Sequence, residues 1–203
     1  MTATETAAPP MTTPAPTAAR ARILAAASRL FYARGIRAVG VDALVAESEV
    51  AKATFYNHFP GKDDLVVAYL DQIDIIWTAQ LRESARAAGD EPADQLVGLF
   101  DALTATCRND GYRGCGFLNA AAESLPGSEI HTRTLAHKDA VRAWVRELAV
   151  EAGAHDPDRL ALSLTVVLDG GLAAGALDAN PAAADAARQI ARDLVTAALA
   201  PGP

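Results

Sequence analysis

Aromatic residues make up only 5% of this 203-residue chain, which has two cysteines and four histidines. Cys107 and Cys115 are too few for a disulfide-stapled scaffold and fit a reducing, cytoplasmic setting. Neither has a histidine at ligand spacing, so no metal site is expected, and nothing calls for a cofactor. No run of about 18 apolar residues is free of charge, so no membrane span is expected. Runs of alternating β-branched residues between turns are missing too, which argues against a sheet. The glycine-rich stretch at 114–116 follows no strand and precedes no Lys-Ser/Thr, so it is not a phosphate-binding loop. No acid/base pair has a recognisable catalytic spacing. Positive charge is in deficit as well: the formal net charge is −7, which in an evenly charged protein argues against nucleic-acid binding.

What the chain does have is alanine, leucine and helical periodicity. An all-α fold of about nine helices is expected. Its charge is uneven. Residues 18–62 carry seven Lys/Arg against three Asp/Glu, net +4, whereas residues 63–203 carry eleven against twenty-one, net −10. A basic N-terminal module on an acidic body lets only one end meet DNA. Residues 1–17, rich in Pro, Ala and Thr, cannot bury enough surface to order themselves and are expected to form a disordered arm. They lack the basic start and apolar core of a signal peptide.

The motif that organises the module lies at 44–62. Two short helices, 42–48 and 52–58, meet at a tight turn plugged by Val50, with Leu44 and Val45 buried beneath. Phe55 and Phe59, four apart, share the inner face of the second helix. That leaves Lys52, Thr54, Tyr56, Asn57 and His58 outside, and Pro60-Gly61 ends the helix. A cation, hydroxyls and an amide on a short helix suit the major groove of DNA. Upstream, a helix over 18–33 has the stripe Ile23, Leu24, Ala27, Leu30 and Phe31, and Gly35 ends it. Its Arg20 and Arg22 face away from that stripe, as phosphate contacts or as a solvated surface. Lys62, at the start of the next helix, joins a cation to free backbone amides, a combination suited to a phosphate.

Phe55-Tyr56-Asn57-His58-Phe59-Pro60-Gly61-Lys62, with the helix before it, resembles the end of the DNA-binding domain of TetR-family transcriptional regulators. The glycine-rich 114–116 stretch also recurs in one large subgroup of that family. The resemblance implies a helix-turn-helix DNA-binding domain at 18–62 and a larger helical ligand-binding and dimerisation domain at 63–203. It further implies a regulator, most simply a repressor, released from a palindromic operator by a small molecule. Three positions depart from the family pattern. Glu49 stands where a turn glycine is usual, Ala51 where a Ser or Thr caps the recognition helix, and Gly40 where a Thr is usual.

In the body, helices are expected at 62–88, 94–108, 117–123, 129–152, 158–176 and 183–199. The first is long enough to leave the DNA-binding domain and carry a signal. Inner-face residues Trp77, Phe100, Leu103 and Phe117, with Asn119, Trp144 and Leu168, are candidates for an apolar pocket suited to a hydrophobic or aromatic ligand. The same aromatics would equally serve as plain core. The last two helices are apolar on many faces, and Leu160, Leu164, Val167, Leu172, Ile190 and Leu194 are the expected homodimer surface. Burial inside one chain is the other reading. The cysteines are two buried thiols or a redox switch; His131 and Arg133 line the pocket or lie on the surface. Two alternative functions compete with the regulator. One is a small enzyme with Cys107 or Cys115 as nucleophile and His131 or His137 as base; the other is a DNA-binding dimer without a ligand.

Overall fold

The computed structural model describes residues 17–178 and 182–200. The expected arm at 1–17 lies outside them except for Thr17, as do the turn at 179–181 and residues 201–203. Among the described residues the chain is all helical, with no strand.

Thr17 caps α1 (Ala18–Arg34), its hydroxyl accepting from the Arg20 amide at 3.3 Å. Gly35, at φ 88°, ends α1 in a backbone region that disfavours side chains, and its amide closes on the Phe31 carbonyl. α2 (Val41–Ser48) and α3 (Lys52–His58) follow. Leu44, Phe55 and Phe59 are sealed between them and α1, together with Ile23, Leu30 and Phe31 of the expected stripe. Phe55 is fully buried, which contributes about 2 kcal/mol. Val50 packs half-buried into the angle.

α4 (Lys62–Ala87) is shared. Its Leu65, Val66, Tyr69 and Leu70 complete the N-terminal core, and Leu81 and Ala85 belong to a second core in the body. The N-terminal core also takes Phe117, Ala120 and Ile130 from beyond residue 62, so the two cores are stitched across the expected domain boundary.

The helix expected at 94–108 is two pieces, α5 (Pro92–Gly98) and α6 (Asp101–Cys107). Hydrogen bonds tighten to three-residue spacing between them, from Phe100 to Val97 and from Ala102 to Leu99. α7 (Gly116–Glu123) is short, and α8 (Glu129–Glu151), α9 (Pro157–Asp178) and α10 (Ala182–Leu199) complete the body.

The structure corrects the expected dimer surface. Leu160, Leu164 and Leu172 are buried within the chain's own core, Val167 and Leu194 pack half-buried against it, and Ile190 alone of the six is exposed. Small residues act internally as well: a Cβ on Gly171 would lie 3.0 Å from Ala187 of α10 and clash with Leu103, so this glycine sets a close approach inside one chain. The outward face of α9 instead carries Leu162, Val166 and Leu177, between 50% and 85% exposed. Within the stretch Pro157–Leu177 an 18-residue window has a mean hydropathy of 1.8, enough by length and composition to cross a membrane, despite Asp169 within it. In this fold 39% of its most apolar window is buried against neighbouring helices.

Candidate nucleic-acid interface and ligand cavity

On α3, Lys52, Tyr56 and Asn57 are exposed while Thr54 and His58 are half-buried. Lys52 is not a free cation: its ammonium donates to Asp42 at 2.8 Å, and this hydrogen bond raises its pKa. Tyr56 stands edge-on to Phe55, ring centroids 5.3 Å apart, which holds its hydroxyl end outward. His58 Nε2 lies 3.2 Å from the Thr17 hydroxyl, and the Arg20 guanidinium sits 5.1 Å over the Phe59 ring. Both therefore gather at the C-terminal end of α3, beside the start of α1. Arg22 is exposed, one residue beyond the first turn. Lys62 opens α4 with Asp63 and Asp64 in the same turn.

The three departures have structural signatures. Glu49 adopts a left-handed conformation, φ 53° and ψ 40°, and is the one non-glycine with positive φ among the described residues. Ala51 and Gly40 stand at the N-caps of α3 and α2 with no side-chain hydrogen bond.

A cavity of 490 Å³ opens where the N-terminal module meets the body. Ser28, Arg29 and Tyr32 of α1 form one wall. Tyr69, Ile73 and Trp77 of α4 form the floor, and Tyr112, Cys115, Phe117 and Leu172 close the far side. Tyr32 bridges the two parts. Its hydroxyl donates to the Gly114 carbonyl at 3.1 Å and accepts from the Arg113 amide at 2.9 Å. Nearby, the Glu123 carboxylate of α7 accepts from the Ile36 and Arg37 amides just past α1, at 3.0 and 2.7 Å. Tyr112 donates to the Leu172 carbonyl at 2.9 Å. Burial raises the pKa of Tyr32, Tyr69 and Tyr112, so all three phenols stay protonated near neutral pH.

Of the expected pocket residues, Trp77 and Phe117 line this cavity. Phe100, Leu103 and Leu168 do not; they are sealed in the body core. Trp144 faces a separate polar groove with Arg82 stacked 4.8 Å over its ring, and Asn119 turns to the Arg113 carbonyl. Sequence reading passed over Tyr69 because it sits in the apolar stripe of the helix expected at 62–88 and reads as core, and over Tyr32 because it lies outside the stripe of the first helix. The signal was the paired tyrosines on neighbouring helices, opposite the glycine-rich stretch. The cysteines are half-buried and free. Burial raises the Cys107 thiol, and Cys115 lies 3.9 Å from the Lys138 ammonium, which pairs with Asp169.

Behind Phe117, a charged cluster ties α4 to α8. Arg133 bonds Asp71 and Asp74, both at 2.6 Å, and His137 Nδ1 lies 2.6 Å from Asp74. The His137 ring stacks on Phe117 at 3.8 Å. Burial outweighs the Asp74 hydrogen bond and lowers the His137 pKa; burial also opposes ionisation of Asp74, but the bonds from Arg133 and His137 prevail and lower its pKa. A neutral imidazole donating to a carboxylate follows. His131 accepts from the Gly127 amide, so neither histidine is bonded to a sulfur. Arg133 thus belongs to this cluster rather than to the cavity wall. No group of three metal-binding side chains occurs among the described residues.

The family model for bacterial regulatory proteins of the tetR family matches residues 23–69. A TetR-family transcriptional regulator from Streptomyces coelicolor is 37% identical, with 89% of this chain and 96% of that chain covered and a TM-score of 0.83. A TetR-type regulator from Streptomyces avermitilis is 27% identical, covering 90% and 98%, with a TM-score of 0.81. The HTH-type transcriptional regulator YjdC of Escherichia coli K12 is 24% identical over 180 residues, 87% of this chain and 93% of YjdC.

Proposed function

The chain belongs to the TetR family of transcriptional regulators, and from that premise we propose that it is a dimeric repressor released from a palindromic operator by a small molecule held in the 490 Å³ cavity. It is a regulator and not an enzyme. The observation that carries the proposal is Tyr32: one side chain of the DNA-binding module is at once a wall of the cavity and hydrogen-bonded to the 113–114 loop of the body. A molecule entering the cavity meets α1 directly and α4 along its length, so binding and head position are linked. The linkage is reciprocal: the ligand prefers the DNA-incompetent arrangement, and operator weakens ligand binding by the same factor.

In this reading Tyr56 and Asn57 face the major groove with Thr54, while Lys52, Arg20, Arg22, His58 and Lys62 hold flanking phosphates. Lys52 exchanges Asp42 for a phosphate on binding. Two heads related by a two-fold axis match half-sites about one helical turn apart or a multiple of it, through the outward face of α9 and α10. Acting on chromosomal DNA, the protein works in the cytoplasm.

Fluorescence anisotropy with duplex DNA from upstream of its own gene, titrated with salt, tests this. Specific binding is expected, and Lys52→Ala and Lys62→Ala should each flatten the log–log salt slope by about 0.9. Tyr32→Phe keeps the ring and removes both loop hydrogen bonds; it should leave the ligand-free operator affinity near that of the parent and blunt release by ligand. Binding no tighter than to random duplex, across a genome-derived fragment pool, would sink the proposal.

A further inference from the structure

Three phenols face the cavity, and two have their hydroxyls engaged: Tyr32 with the Arg113 amide and Gly114 carbonyl, Tyr112 with the Leu172 carbonyl. Tyr69 differs. It is 3% exposed and edge-packed on Phe31, yet among the described residues nothing hydrogen-bonds its hydroxyl. The hydroxyl itself is open to the cavity, since Thr104 Oγ1 is the one fully buried side-chain polar atom without a partner among the described residues, so a ligand that supplies an acceptor there takes up a donor that no group of the protein uses. The place where the acceptor would sit is kept open by Gly116. A Cβ there would lie 3.3 Å from Tyr69 Oη and 2.8 Å from Ile73 Cδ1, covering the hydroxyl.

The remaining walls restrict the chemistry further. Trp77, Phe117, Ile73 and Leu172 present rings and branched aliphatics, which suit a flat apolar body. The one formally charged side chain on the wall among the described residues, Arg29, already donates to Glu47 at 2.8 and 3.3 Å. An anionic ligand therefore finds a cation that is already neutralised, and would shed its hydration for little return.

Resting on the reading of this cavity as the effector site, we propose that its ligand is a neutral, planar aromatic molecule bearing a carbonyl oxygen, anchored by a hydrogen bond from Tyr69 Oη. The carbonyl points at the Tyr69–Gly116 corner, and the ring system lies between Trp77 and Phe117. Burial keeps the Tyr69 phenol protonated, so the anchor stays a donor across the physiological range.

The probes are 9-fluorenone and fluorene, which share a tricyclic frame and differ in the carbonyl, with fluorene-9-carboxylate as the anionic comparison. Binding to the full-length protein is followed by quenching of its tryptophan fluorescence, to which Trp77 on the cavity wall contributes. Fluorenone should bind about tenfold tighter than fluorene, the difference one neutral hydrogen bond makes, and tighter than the carboxylate. Tyr69→Phe should erase the fluorenone–fluorene ratio. Gly116→Ala, whose methyl covers the hydroxyl, should erase it as well, so the test does not hang on one variant. Equal affinities in the parent protein, a ratio that survives Tyr69→Phe, preference for the carboxylate, or no binding of fluorenone each overturn the proposal. Failure of the effector reading looks different: fluorenone would bind with the expected ratios and leave operator affinity unchanged.

Discussion

Glu49 sits in the turn between α2 and α3 with φ 53° and ψ 40°, and an L-residue there carries about 1–2 kcal/mol of local strain. Glycine removes that strain but loses about 0.5–1 kcal/mol through its freer unfolded chain. The balance predicts that Glu49→Gly stabilises the protein by about 0.5–1 kcal/mol in urea unfolding. It should also tighten DNA binding, because a carboxylate leaves the surface expected to face phosphates. A destabilised Glu49→Gly protein would mean that the side chain makes an interaction in solution that outweighs the strain. The neighbouring Ala51 explains why this turn tolerates little more: α3 begins with no side-chain cap, so its first turn rests on the packing of Phe55 and Phe59.

At the scale of elements, α4 is the beam common to both cores, and the Asp71, Asp74, Arg133 and His137 cluster clamps it to α8. The clamp predicts a pH dependence. The folded pKa of His137 is lowered, so the unfolded chain binds its proton more readily. Stability from this group is therefore full above the unfolded value of about 6.5 and declines as pH falls below it. Asp74, also lowered, has the same sign but acts only near and below its unfolded value of about 3.9. Melting temperature should thus fall between pH 7.5 and 5.5, and His137→Gln, which keeps a donor toward Asp74, should flatten that fall. Scanning fluorimetry across this range is the measurement; an unchanged pH profile in the variant would remove His137 from the account. Because His137 also stacks on Phe117 at the cavity wall, acidification is expected to loosen the ligand site along with the clamp.

At the scale of the whole molecule, an acidic body joins a basic head, and among the described residues an apolar stripe on α9 is uncovered. Leu162, Val166 and Leu177 on α9 recur on one helical face, with Ile190 of α10 exposed as well. In a two-fold dimer each substitution appears twice in one interface. Val166→Asp is expected to leave each chain folded and to shift sedimentation from dimer to monomer at micromolar concentration. Leu164→Ala should do the reverse, costing about 2–5 kcal/mol of stability while the fold that remains stays dimeric. Val166→Asp protein that still sediments as a dimer would put the interface elsewhere.

Sequence alone determined the helical class, the turn at 49–51, the inward Phe55 and Phe59, the helix stop at Pro60-Gly61 and the separation of charge. Each of these rests on local backbone preference or on a stripe with a clear polar side. Packing decided which face of α9 is buried, because that helix is apolar around most of its circumference and its periodicity has no phase to read. Close approach settled it, with Gly171 against Ala187 and Leu103 turning Leu160, Leu164 and Leu172 inward. The cavity was illegible for a related reason. Tyr32 and Gly114 are 82 residues apart, and Tyr69 reads as one more core position until the fold sets a glycine beside its hydroxyl. Local rules fix what a residue does to its own helix; which surfaces meet, and which donor is left to a ligand, depends on how the helices are assembled.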